Sequence, residues 1–125
     1  MNLVDSCGWI EYFKNGPGAD FFAPALEDTE NLLTPVICQF EVYKFSLRHA
    51  GPDMAKIHVA NMRKGRIAEI DEHIAIEAAI ISHEMKLPMA DSLILAIARS
   101  YDATLWTQDA HFENIPGVKY RKKGA

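Results

Sequence analysis

Short apolar segments ending at an acid or a helix-starting residue recur along this chain, separated by longer stretches with helical spacing, and that alternation constrains the fold most. Residues 2–5, 32–34, 67–70, 103–106 and 118–120 read as strands. A helix capped by Ser6 is predicted to run to about Asn15, where Gly16, Pro17 and Gly18 stop it; Trp9 and Phe13 share one face, with Ile10 close by. A second helix over residues 19–26 is weakened by Pro24 in its interior. Thr34-Pro35 opens a third helix, with Thr34 as cap and Pro35 in the first helical position, ending near Gly51. Gly51-Pro52 opens another that ends near Gly65, Asp71 caps a helix from Glu72 to about Lys86, and Pro88 breaks the chain before the last helix. Strands alternating with helix pairs imply a mostly parallel sheet covered on both faces, a three-layer α/β/α sandwich.

The third helix divides into two stripes. Val36, Phe40, Tyr43 and Leu47 repeat at spacings that predict a core face, while Glu41, Lys44 and Arg48 form a polar row facing ligand or solvent.

Four carboxylates stand at strand-to-helix transitions or one turn inside a helix: Asp5, Glu41, Asp91 and Asp109. Each alone has an ordinary structural explanation, as a turn acid, an exposed helix former, a partner of a helix dipole or a cap. Together they mean more, because right-handed crossovers bring the carboxyl ends of parallel strands to one rim, where α/β proteins bind ligands. Acids gathered within a few ångströms repel unless protonated or neutralised, and a hard divalent ion with oxygen ligands, such as Mg²⁺, relieves this. Phosphoryl transfer is the chemistry expected at such a site.

Charge is segregated in a way that suggests a polyanion partner. Residues 1–43 carry −6, 44–66 carry +5, 67–118 carry −7 and the tail from Lys119 carries +4, within a net charge of −4. At 125 residues the chain is expected to form one domain over 1–125. Its apolar runs fall far short of the roughly 18–20 residues of a membrane span, and the start has no basic n-region, so a cytoplasmic protein is expected. Cys7 and Cys38 are expected as free thiols. Neither cysteine nor histidine has zinc-ligand spacing.

Four segments in order carry a resemblance. Val4-Asp5-Ser6-Cys7-Gly8-Trp9-Ile10-Glu11-Tyr12-Phe13, Thr34-Pro35 with Glu41, Pro88-Met89-Ala90-Asp91-Ser92-Leu93-Ile94-Leu95-Ala96, and Thr107-Gln108-Asp109-Ala110-His111-Phe112 resemble the successive blocks of PIN-domain nucleases. The compact length resembles the VapC toxins of toxin–antitoxin pairs. The resemblance implies metal ligation by Asp5, Glu41, Asp91 and Asp109, with Ser6 and Thr107 as polar support. It implies Mg²⁺, with Mn²⁺ as substitute, hydrolysis of RNA to 5′-phosphate and 3′-hydroxyl ends, a cognate antitoxin and a homodimer. His111 departs from the pattern, standing where many relatives carry a further acid; a solvent-facing loop residue is the alternative there. On this reading Lys44 and Arg48 reach the phosphates flanking the scissile bond, as part of a basic segment over 44–66. Two other readings compete: a phosphoacceptor receiver domain, and a catalytically silent PIN-like protein-binding module.

Overall fold

The computed structural model describes residues 1–124. Five strands, β1 (Asn2–Val4), β2 (Leu32–Pro35), β3 (Arg66–Ala68), β4 (Thr104–Thr107) and β5 (Val118–Tyr120), form one parallel sheet in the order β3-β2-β1-β4-β5. Six helices connect them: α1 (Ser6–Phe13), α2 (Ala19–Glu27), α3 (Val36–His49), α4 (Pro52–Met62), α5 (Glu72–Met85) and α6 (Met89–Ser100). The chain steps outward from β1 to β3, then returns through α5 and α6 to β4 on the far side of β1. Right-handed crossovers therefore send the first two connections over one face and the third over the other, giving the expected three-layer sandwich. The switch point falls between β1 and β4, and the crevice beyond their carboxyl ends is the favoured place for a ligand. A receiver domain has the order 2-1-3-4-5, so this sheet is not of that type.

The core explains why the strands can be so short. Leu3, Val4, Leu33 and Leu105 on the sheet meet Phe22, Val42, Met62, Ile94, Ile97 and Phe112, all at most 1% exposed. Strands buried on both faces need no alternation, only continuous apolar character. Among the described residues no helix is long and apolar enough to cross a membrane.

Local signals hold in several places and shift in others. Asp71 caps α5 by accepting from Ile74 N at 2.9 Å. α2 keeps Pro24 inside it, α6 restarts directly after Pro88, and Trp9 and Phe13 pack with ring centroids 5.7 Å apart. At the start of α1, however, the cap is Asp5 rather than Ser6: Asp5 Oδ1 accepts from Ser6 N at 2.7 Å, which frees the Ser6 hydroxyl for another partner. At α3 the cap residue is Pro35, and Thr34 belongs to β2, its hydroxyl buried without a hydrogen-bond partner. β3 also ends two residues earlier than the sequence suggests.

The largest correction concerns which side of α3 faces inward. Cys38, Val42 and Ser46 are its buried residues, whereas Phe40 is 61% and Leu47 45% exposed and Val36 and Tyr43 are half-buried. Apolar residues occupy most of this helix's circumference, so spacing alone cannot choose between two rows; the neighbours α1, α4 and α6 choose. The observed rotation sets Glu41, beside Val42, against Ser6 at the start of α1.

Gly8 marks a close approach of α1 to the sheet. A Cβ there would lie 2.5 Å from Val4 Cγ1 and 2.7 Å from Phe22 Cδ1, and neither of those fully buried side chains has room to move. Gly8→Ala gains about 1 kcal/mol of helix propensity. Overpacking of about 1–3 kcal/mol outweighs it, so a net loss of up to about 2 kcal/mol is expected in urea denaturation; a more stable variant would show that α1 can lift off the sheet.

Candidate active site and metal centre

Asp5 leaves the end of β1 with both carboxylate oxygens engaged. Oδ1 caps α1, while Oδ2 accepts from Thr107 Oγ1 at 2.8 Å and from Cys7 Sγ at 3.4 Å. Asp109 follows β4, and its backbone N–H donates to the same Thr107 hydroxyl at 3.0 Å. Thr107, fully buried, thus ties two acids to one oxygen, since its only proton goes to Asp5 and its lone pair takes the Asp109 N–H. Glu41 projects from the second turn of α3 and accepts from Ser6 Oγ. Asp91 lies in the first turn of α6 and is largely buried.

All four acids line one pocket of about 450 Å³, together with Ser6, Lys44 and Arg48. Donor atoms in and around it fall into two sets whose members lie within 4.8 Å of one another: Asp5, Glu41 and the sulfur of the buried Cys38, and Asp91, Asp109 and His111. His111 is more than half exposed yet is no bystander. Its Nδ1 lies 2.7 Å from Asp91 Oδ2 and 3.3 Å from Asp109 Oδ1, so its imidazole rests against two of the acids. Asp109 also accepts from His111 N at 3.0 Å, so it caps the short 3₁₀ turn at Ala110–Phe112 as well as lining the pocket.

Electrostatics show what the cluster lacks. Burial, reinforced by Asp91 and Glu41, pushes the Asp5 carboxyl up to about 6 against the opposing bonds from Thr107 and Cys7. Burial also raises Glu41, with Asp91 and Asp109 adding to it, and raises Asp91, with Asp109 adding and His111 opposing. The hydrogen bond to Asp91 raises His111. Three acids held above their ordinary range form a site short of positive charge, and the oxygen-rich donor set fits a hard divalent cation. The thiols stay protonated: burial and Asp5 push Cys7 up to about 12, and burial holds Cys38 well above the ordinary thiol range. Both are free.

A pH dependence follows for the metal-free protein. The folded pKa of Asp5, about 6, lies above the ordinary 3.8, so the native state binds this proton more tightly than the unfolded chain. The stabilising contribution is fully present below pH 3.8 and is lost as pH rises through 6, a change of about 3 kcal/mol. The hydrogen bond from Gly18 N holds Glu11 low, so Glu11 acts in the opposite sense, but equally in wild type and in Asp5→Asn. Relative to Asp5→Asn, wild-type melting temperature in chelator should therefore fall between pH 4 and pH 7. A constant difference across that range would refute the shift.

Sequence reasoning missed a third buried acid, beside the site. Glu11, on α1, accepts from Gly18 N at 3.0 Å and from Gln108 Nε2 at 3.1 Å; Gln108 Oε1 in turn accepts from Arg121 Nη1 at 3.0 Å. Gln108 stands between Thr107 and Asp109, so this chain of bonds clamps their loop from the side away from the pocket. The signal available in sequence was Glu11 on a helix otherwise nearly free of charge.

A PIN-domain family model matches residues 3–118. The chain belongs to the PIN-domain family. Among solved structures, this PIN domain is similar to a toxin–antitoxin complex from Klebsiella pneumoniae, with TM-score 0.80 at 22% identity over 95% of this chain and 96% of that one. It is also similar to a DNA-bound VapBC from Salmonella typhimurium, with TM-score 0.74 at 20% identity over 97% and 98%. A third is VapC20 of Mycobacterium tuberculosis, a sarcin-ricin-loop-cleaving toxin, with TM-score 0.72 at 15% identity over 90% and 92%. At these identities the likeness is one of fold. No curated protein matches the chain.

Of the lysines and arginines in segment 44–66, Lys44 and Arg48 line the acid pocket of this PIN domain. Arg63 borders a separate groove with Glu69, Lys64 borders another with Glu27, and Arg66 lies over the Tyr101 ring. Lys122 and Lys123 of the tail line a groove that shares Cys7 and Asp109 with the acid pocket. Cations thus flank the acids from both sides.

Proposed function

We propose that this PIN domain is a divalent-metal-dependent endoribonuclease, the toxin of a toxin–antitoxin pair. The observation that carries the reading is the gathering of Asp5, Glu41, Asp91 and Asp109 around one pocket with three of them raised above the ordinary carboxylate range. Mg²⁺, or Mn²⁺ in its place, would be held by these four acids and would supply the neutralising charge and the acidified water that in-line phosphodiester hydrolysis needs.

The chain's own residues set up the rest. Three hydrogen bonds fix Asp5, so its carboxylate is oriented before any ligand arrives. Ser6 does the same for Glu41, and Thr107 keeps Asp109 in step with Asp5. Lys44 and Arg48 bind phosphate groups of the RNA. Attack by water forms the new P–O bond and breaks the bond to the 3′ oxygen, which takes a proton and leaves as hydroxyl, while the other fragment keeps the 5′ phosphate. His111 supports Asp91 and Asp109 from outside.

The solved neighbours support the biological context, since several are toxin–antitoxin complexes. A cognate antitoxin is accordingly the expected protein partner. Self-association into a homodimer would cover exposed apolar residues such as Ile76 and Ile80 on α5. The test is incubation of the purified chain with single-stranded RNA in Mg²⁺, in Mn²⁺ and in chelator, with end-group analysis of the fragments. Cleavage that persists in chelator, or fragments with 3′-phosphate ends, would overturn the reading.

A further inference from the structure

Beside the acid pocket lies a second cavity that hydrolysis does not use. It measures about 250 Å³ and sits where α1, α3 and α4 meet, sharing Ile10, Phe45 and His49 with the acid pocket, so the two adjoin. Ile10, Phe13, Phe45 and Met54 make its wall apolar. Lys14, Ser46, His49 and His58 supply its polar groups. His58 stacks flat on Phe13, with centroids 4.1 Å apart and planes 9° from parallel, and its Nδ1 is paired with the buried Ser46 hydroxyl at 2.8 Å. Burial lowers the His58 pKa, which favours the neutral ring. In a neutral imidazole one nitrogen donates and the other accepts, and the Ser46 hydroxyl can meet Nδ1 in either role, so Nε2 offers the base edge the complementary one. Among the described residues Nε2 has no hydrogen-bond partner.

We propose that this slot is a base-reading subsite: it takes one nucleobase flanking the scissile phosphate of a single-stranded RNA and reads its edge through His58 Nε2. The proposal rests on the ribonuclease reading and adds a specificity determinant to it. Charge complementarity selects the occupant. Glu41 belongs to the acid pocket, whereas Phe45 and His49 stand about 6 and 12 Å further along α3, and Lys44 and Arg48 line the stretch between, with Lys14 at the slot itself. A strand whose phosphate lies at the acids would place its neighbouring phosphates among these cations and one base in the slot. Flat aromatic faces flanked by cations are what splayed-out bases stack upon. An apolar peptide side chain could fill the same volume, but it would cover Nε2 without giving it a partner.

The test uses the full chain carrying Asp91→Asn, which binds without cleaving, and four short single-stranded homo-oligomers of A, C, G and U. Binding should favour at least one base by about tenfold. His58→Phe keeps the stack on Phe13 and removes the ring nitrogens; it should compress the preference to within about twofold. Ser46→Ala, which releases the ring, should compress it partly. Arg48→Ala should instead weaken all four oligomers alike and flatten the salt dependence. Melting temperature in parallel establishes that each variant is folded. If folded His58→Phe keeps the wild-type preference, or if the four oligomers bind equally to the parent, the subsite is refuted even where cleavage assays support the nuclease. If His58→Phe weakens an antitoxin peptide and leaves RNA preference unchanged, the slot is a peptide groove. Absence of both RNA binding and metal-dependent cleavage would refute the ribonuclease reading itself.

Discussion

Asp91→Asn is expected to lower the rate of RNA cleavage by about 10²–10³-fold or more, the scale seen when one electrostatic contact to a developing charge is removed. Asn keeps the size of the side chain but removes the charge shared among Asp109, Glu41 and Asp5. It still offers His111 Nδ1 a partner, so the turn at Ala110–Phe112 should keep its place. Because the acids repel one another, the metal-free variant should melt no lower than wild type. Equal cleavage by wild type and Asp91→Asn would remove Asp91 from the site. A melting temperature several degrees lower would make its role structural.

Mg²⁺ should raise the melting temperature of wild type, because it binds the folded cluster and has no such site in the unfolded chain. At a hundredfold excess over Kd the gain is about 2.7 kcal/mol, on the order of 8 °C for a chain of this length. Mn²⁺ should act in the same way, and Asp5→Asn should shrink the response to both, since Asp5 is the most deeply buried of the four acids. The readout is thermal unfolding across a metal titration at constant ionic strength, which separates specific binding from screening. An identical response in Asp5→Asn would place the ion elsewhere.

These two expectations rest on features of very different legibility. The order of the acids along the chain, and their positions at strand ends or in the first turns of helices, were readable because they depend on signals within a few residues: Thr34-Pro35 at the start of α3, Pro88 before α6, the apolar runs of β1 and β4. Parallel topology followed from the same local punctuation, since strands separated by helix pairs can pair only through crossovers. Where two neighbouring residues offered the same service, local reasoning slipped by one position. Asp5 takes the cap expected of Ser6, and the Ser6 hydroxyl goes to Glu41, 35 residues away.

The amino-acid sequence by itself determined the α/β class, the family blocks and the set of four acids destined for one rim. Tertiary structure alone decided which side of α3 faces inward, because Phe40 and Leu47 are as apolar as Cys38 and Val42 and only the packing of α1, α4 and α6 breaks the tie. It alone brought His111 onto Asp91 and Asp109, joined Glu11 to Gln108 across 97 residues, and set His58 against Ser46 beside the acid pocket. The physical reason is range. Caps, breaks and periodicity are fixed by dihedral preferences and by neighbours one turn apart, whereas the orientation of a helix and the partners of a buried polar group are fixed by elements that the fold brings together from distant parts of the chain.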